Sequence, residues 1–343
     1  MSDVARWKVH GAVETLKSEF AIWDLNRQEW LAGQRLTVTS FRPDGAVSSS
    51  DAHNPDGSIV HMRWIYDGAG RLTESNSQFN DGPIDKTVYS YDAAGRPVRT
   101  VQMSHDGTQT EVEVCSYDPA GKKAKVRFLG VRGANTSYAV EGSDGGYSAP
   151  GATAMVTTYD EQDLPASVIF QDANHNSLRT VTFIRDGTGK VLKEEMRVNE
   201  ESPVPELLNS TPPERRAAMA DLLKKVFGDT FSSTTYTYDS QGRVLERTRT
   251  MGNLSEDRTT FQYGEREDPI EETTEHRNRE ARIADDGTVQ YTEPRVILQR
   301  TRFEYRYDAQ GNWTERIVSG RAEENPDFQR SNIERRTIAY HAA

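Results

Sequence analysis

Seven histidines are spread along the chain, at His10, His53, His61, His105, His175, His276 and His341. A zinc protease needs two of them at i, i+4 on one helix face, and a structural zinc site needs cysteine pairs; neither spacing occurs. The single cysteine, Cys115, excludes an intrachain disulfide. It occupies a position in a row of aromatic residues, so it reads as a small buried side chain and not as a nucleophile. Asp172-Ala173-Asn174-His175-Asn176-Ser177 opens like a calcium loop. Ser177 stands where the turn glycine belongs and Phe183 where the terminal Glu belongs, so a hairpin turn explains the segment better. There is no Walker loop, no nucleophile elbow and no Rossmann glycine pattern. Among 53 acidic residues no two carboxylates single themselves out as an acid–base pair. A glycosidase-like enzyme would have to bring its two carboxylates together in the fold alone. The expectation is therefore no catalytic residue, no cofactor and no metal.

Four of the five tryptophans, Trp7, Trp23, Trp30 and Trp64, crowd the first 64 residues. Their functional reading is a stacking platform for a carbohydrate; the plainer reading is that they cover the exposed first edge of a sheet. Exposed, coplanar rings would favour the former.

The elements that must position such residues follow from composition and repeats. The chain has 343 residues, 42 basic and 53 acidic, for a net charge of -11. Counted with Gly and without Tyr, its apolar share is about 38%, below the roughly 45–50% usual for globular domains. The core is thin for the length. The acidic balance disfavours nucleic acid, which wants clustered Lys and Arg. No apolar run approaches the ~18 residues of a membrane span. Residues 1–8 carry no apolar h-region, so no signal peptide is expected; the protein is cytosolic, or begins after a removed signal. The charged stretches Glu271–Arg282 and Arg321–Arg336 alternate in sign, which marks a solvated face.

Tyr-Asp-x-x-Gly occurs five times: Tyr66-Asp67 to Gly70, Tyr91-Asp92 to Gly95, Tyr117-Asp118 to Gly121, Tyr238-Asp239 to Gly242 and Tyr307-Asp308 to Gly311. Phe41 to Gly45, Arg185-Asp186 to Gly189, Tyr159-Asp160, Trp23-Asp24 and Tyr263 are degenerate copies. The short spacings are 25 and 26 residues. Asp suits the first position of a type I turn, where its carboxylate accepts a backbone N–H two residues on, and Gly suits the fourth, which needs a left-handed residue. Each unit then reads as two antiparallel strands joined by a short loop. A basic residue follows the Gly at Arg71, Arg96, Lys122, Lys190 and Arg243. Two residues before the Tyr position stand Trp64, Tyr89, Cys115, Phe183, Tyr236, Phe261 and Tyr305, on the same strand face. These aromatic rows read as cross-strand packing.

Tyr-Asp-x-x-Gly-Arg at this spacing resembles the YD repeat of the Rhs/teneurin/toxin-complex family, from about Trp23 to about Tyr340. The resemblance implies hairpins laid side by side into a long spiralling sheet that forms a shell, which in large members encloses a toxin domain. It also implies a secreted or cell-surface protein with protein or carbohydrate partners. The chain is short and lacks a toxin-like segment after the repeats. The family's self-cleaving motif has the shape Asp-Pro-x-Gly-Leu. Asp118-Pro119-Ala120-Gly121-Lys122 has Lys122 in place of the Leu and sits mid-chain as a repeat turn, so cleavage is not expected.

Three insertions interrupt the repeat, at about 130–153, 199–232 and 268–296. The first is a Gly-rich loop, either a disordered excursion or a binding loop. The second holds a helix over about 212–227, with Thr211 as N-cap, Pro212 at its first position, Glu214 completing a capping box and Gly228 as stop. Its apolar stripe of Met219, Leu222, Leu223, Val226 and Phe227 must bury against the sheet. The third is charged. The expected architecture is a single all-β domain over 1–343, of about nine or ten consecutive antiparallel hairpins, with a curved sheet whose closure into a barrel- or shell-like form is left open. The expected function is non-catalytic binding or scaffolding, with carbohydrate binding through the Trp residues as the alternative. Oligomeric state and ligand are not legible.

Overall fold

The computed structural model describes residues 7, 9–128, 137–139, 146–149, 151–198, 221, 225–227, 230–284, 288–322 and 327–342. They fall into two compact units: Met1–Val112 with Arg300–Ala343, and Glu113–Gln299. The fold is all-β. Among the described residues, twenty strands form one antiparallel sheet in which sequence neighbours pair, and two short ribbons stand apart from it. In the first unit, Val13–Asp24 pairs with Glu29–Phe41 on one side and with Gln329–Tyr340 on the other.

Strand formation follows from the residue pattern. Val244–Met251, VLERTRTM, alternates half-buried and exposed positions without a break. Ser232–Tyr238, SSTTYTY, is rich in Thr and Tyr, which suit a pleated, half-buried surface. Polar partners face each other across strands, as in Thr259–Thr274 and Ser233–Thr250, whose hydroxyls lie 3.1 and 2.9 Å apart. This is how a chain with a thin apolar share satisfies a large sheet.

The turns are those the repeat requires. Gly70, Gly95, Gly121, Gly242 and Gly311 have φ between 78 and 86°. At Asp67 one carboxylate oxygen accepts the N–H groups of Ala69 and Arg71, both at 2.9 Å, and the other accepts Arg71 Nε at 2.7 Å. Asp92 with Arg96 and Asp239 with Arg243 repeat this arrangement. Two weaker copies dispense with glycine: Asp163 and His175 take φ of 64 and 66° in the turns that begin at Asp160 and Asp172. A Cβ at Gly70 would meet nothing within 4 Å, so Gly70→Ala isolates the backbone term. It is expected to cost about 1 kcal/mol through φ alone, measured by urea denaturation; an unchanged stability would mean the turn relaxes freely.

The turn acids also set the response to acid. Asp67 and Asp92 are held below the usual carboxylate range by the backbone N–H of Arg71 and of Arg96, and next by their guanidinium groups. Asp186 is lowered chiefly by the Thr188 hydroxyl. A carboxylate whose pKa is lower in the folded state stabilises the fold above its unfolded value, and that contribution disappears as pH falls through the folded value. Stability is therefore expected to be level above about pH 5 and to decline steadily below about pH 4. Urea midpoints at successive pH values test this, and a midpoint constant down to about pH 3 would contradict it.

Each unit has its own core. In the first, Val9, Val13, Leu16, Phe41 and Val47 cluster, with Trp64, Ile338 and Tyr340 packed on them. In the second, Val168, Phe170, Val181, Phe183 and Met196 are the centre of a larger cluster. The Gly-rich segment joins that core at Ala149 and Ala152, and Ser137–Ala139 pairs with Gly146–Ser148. Within 268–296 the chain supplies the sheet strand Pro269–Asn278 and a small ribbon, Ala281–Ile283 with Val289–Tyr291. Of the 212–227 segment, Asp221 and 225–227 are helical; Met219, Leu222 and Leu223 lie outside the described residues. Val226 is buried, and its carbonyl accepts the Tyr291 hydroxyl at 3.2 Å.

Candidate functional site

The Tyr of the repeat has a role beyond packing. Its hydroxyl donates to the carbonyl of the residue two places after the turn position of the preceding unit. Tyr66 reaches Val47 at 2.8 Å, Tyr91 reaches Leu72 at 2.6 Å, Tyr238 reaches Val191 at 2.7 Å and Tyr263 reaches Val244 at 2.9 Å. A basic side chain of the preceding turn lies over each ring: Arg42 over Tyr66, Arg71 over Tyr91, Lys190 over Tyr238 and Arg243 over Tyr263, at 4.5–5.4 Å. Tyr, Asp, Gly and the basic residue are thereby engaged in tying one hairpin to the next. Asp118-Pro119 sits in such a turn, with the Lys122 N–H donating to the Asp118 carboxylate at 2.8 Å.

The closing turn of the first unit uses different groups. Asn312 stands where the basic residue would be and is buried. Its Oδ1 accepts the His10 N–H at 2.6 Å, and its Nδ2 donates to the His10 carbonyl at 2.9 Å and to the Tyr340 hydroxyl at 2.8 Å. Tyr340 in turn donates to Asp308 at 2.6 Å.

Trp23 and Trp30 are cross-strand partners whose rings meet edge-on, with centroids 4.8 Å apart at 70°. Trp64 packs on the first unit's core. Trp7 is exposed and borders a cavity of about 720 Å³ in the first unit.

That cavity is built by strand register. Ser18 and Phe20 of Val13–Asp24 lie opposite Thr37 and Arg35 of Glu29–Phe41. Thr37 lies opposite Ala52 of Val47–His53, and Ala52 opposite Val60 of Ile59–Tyr66. On the far side Phe20 lies opposite Glu334 of Gln329–Tyr340. Trp7, Phe20, Val60 and Met62 give the lining an apolar part. Ser18, Thr37, Ser50 and Asn54 supply neutral polar groups, and Arg35 and Glu334 the charges. Glu334 is held by Arg316 at 3.0 Å and Arg336 at 3.6 Å. Apart from Trp7, none of these residues stands out by type or spacing; only the pairing of five strands, one of them from the far end of the chain, collects them.

The second unit buries a carboxylate. Glu194 is 6% exposed and accepts hydroxyl bonds from Tyr147 and Tyr236 at 2.5 and 3.5 Å. Burial pushes the Cys115 thiol up, away from the thiolate that a nucleophile needs. Among the described residues no three His, Cys, Asp or Glu side chains form a metal-binding group, and no helix is long and apolar enough to cross a membrane.

No protein-family model matches the chain, and no curated protein matches it. Among solved structures, the crystal structure of TcdB2-TccC3-TEV aligns over 91% of this chain at 11% identity, with a TM-score of 0.40. This chain spans 15% of the length of that one. A porin-like protein from Bacteroides uniformis aligns over 96% of this chain and 98% of its own, at 13% identity and a TM-score of 0.32. The Tc holotoxin pore of Photorhabdus luminescens aligns over 84% of this chain and 16% of its own, at 14% identity and a TM-score of 0.26.

Proposed function

We propose that the chain is a non-catalytic binding protein built on YD-type repeats, whose first unit receives a small ligand in the cavity beside Trp7. The observation that carries this reading is the cavity itself. A volume of about 720 Å³ lies in the range that holds small-molecule ligands, and its lining combines an apolar wall with a few polar groups, as such sites do. The hairpin-to-hairpin bonds support the repeat assignment and a scaffold role for the rest of the sheet. Secretion or surface display belongs to the same proposal and rests on the sequence resemblance alone.

The test is a thermal-shift screen with a mixed library of small organic compounds, run beside the Ala52→Trp variant. Ala52 lines the cavity, and an indole there would occupy it. A compound that raises the melting temperature of the natural protein and not of the variant supports the reading. Stabilisation that is equal in both proteins, or seen with no compound, overturns it. The carbohydrate reading is less supported, because the Trp23 and Trp30 rings meet at 70° and form no flat platform; a glycan array tests it directly.

A further inference from the structure

We infer that the cavity beside Trp7 takes an amphipathic organic anion, with its acidic head on Arg35 and its apolar body against Trp7, Phe20, Val60 and Met62. This rests on the binding reading above and names the class of ligand.

Four observations lead there. First, Arg35 lines the cavity, is exposed, and has no hydrogen-bond or ion-pair partner among the described residues. A guanidinium presents a planar fork of donors that matches a carboxylate or sulfonate with two parallel, charge-assisted bonds. Second, the one acid in the lining does not compete for it. Glu334 is already held by Arg316 and Arg336. It is also separated from Arg35 by an intervening strand, since Phe20 is the cross-strand partner of both; two strand spacings are roughly 10 Å. Third, of the two charges in the lining, Arg35 and Glu334, only the carboxylate is already neutralised by ion pairs. Arg35 is thus the charge left for a ligand, and it favours an anion over a cation. Fourth, Phe20 directly adjoins Arg35, and Val60 and Met62 continue the apolar surface two strands further on. A ligand of head group alone would leave that surface wet, whereas an attached aromatic or aliphatic body covers it.

The experiment uses two fluorescent probes of nearly the same shape, anionic anilinonaphthalene sulfonate and neutral phenylnaphthylamine. They are titrated into the full chain and into its Arg35→Gln, Arg35→Lys and Ala52→Trp variants. The expected result is that the anion binds about tenfold tighter than the neutral probe, and that Arg35→Gln removes this advantage without changing the neutral probe's affinity. Arg35→Lys, which keeps the charge and loses the fork, should retain part of it, and added salt should weaken only the anion. Equal binding of both probes with no effect of Arg35→Gln would overturn the anion assignment while leaving a binding cavity. Probe binding that survives Ala52→Trp undiminished, or no binding of either probe, would instead overturn the cavity reading on which it rests. Arg35 has no hydrogen-bond or ion-pair partner among the described residues, so melting temperatures of its variants should match the natural protein and separate lost affinity from lost structure.

Discussion

Phe170→Ala is expected to destabilise the second unit by about 3–5 kcal/mol, the usual cost of truncating a large buried aromatic. Phe170 is wholly buried and is the largest fully buried side chain among the described residues. It belongs to the cluster of Val168, Val181, Phe183 and Met196. The sheet around it is held by backbone bonds on both sides of its strand, so the site cannot collapse to refill the space and the full cavity term should appear. Ile65→Ala makes a control, since Ile65 is 45% exposed and should shift stability by no more than about 0.5 kcal/mol. Guanidinium denaturation of both variants provides the comparison. A cost for Phe170→Ala as small as that of Ile65→Ala would mean that the cluster is not a core.

Asn312→Ala is expected to cost about 3 kcal/mol although it removes a polar side chain. Three side-chain hydrogen bonds are lost at about 1 kcal/mol each, from a position that is 1% exposed. What those bonds join matters as much as their number. They fasten the backbone of His10 and the hydroxyl of Tyr340 to the Asp308 turn. Limited proteolysis should therefore cut the variant first near residues 9–12, and a cleavage pattern identical to that of the natural protein would show that Asn312 does not hold the N-terminal segment.

The parts of this fold that were legible in the sequence are those whose chemistry is local. An Asp that accepts an N–H two residues on and a Gly at φ near 80° belong to one five-residue stretch, so Tyr66 to Gly70 can be read directly. Asp163 and His175 do the work of a glycine at a backbone cost that residue type alone does not announce. The use of the Tyr hydroxyl was not legible, because its acceptor is a backbone carbonyl of the preceding unit, and carbonyls carry no sequence signature. The cavity was hidden for a further reason. Arg35 and Glu334 are neighbours only through Phe20 and the pairing of the first and last strands. Trp7 was singled out with three other tryptophans, of which Trp64 packs on the core and Trp23 meets Trp30 edge-on.

The pairing of Val13–Asp24 with Gln329–Tyr340 has a consequence for synthesis. The early strand acquires its partner Glu29–Phe41 almost at once, but its other edge stays open until Gln329–Tyr340 has left the ribosome. For that interval the nascent protein presents a row of unpaired N–H and C=O groups, ready to template the strand of another chain. Pairing on both sides removes an edge from the finished strand by keeping one exposed during its making. Yield in cells should accordingly depend on the speed of translation and on chaperones that shield open strands, more than on the stability of the final fold.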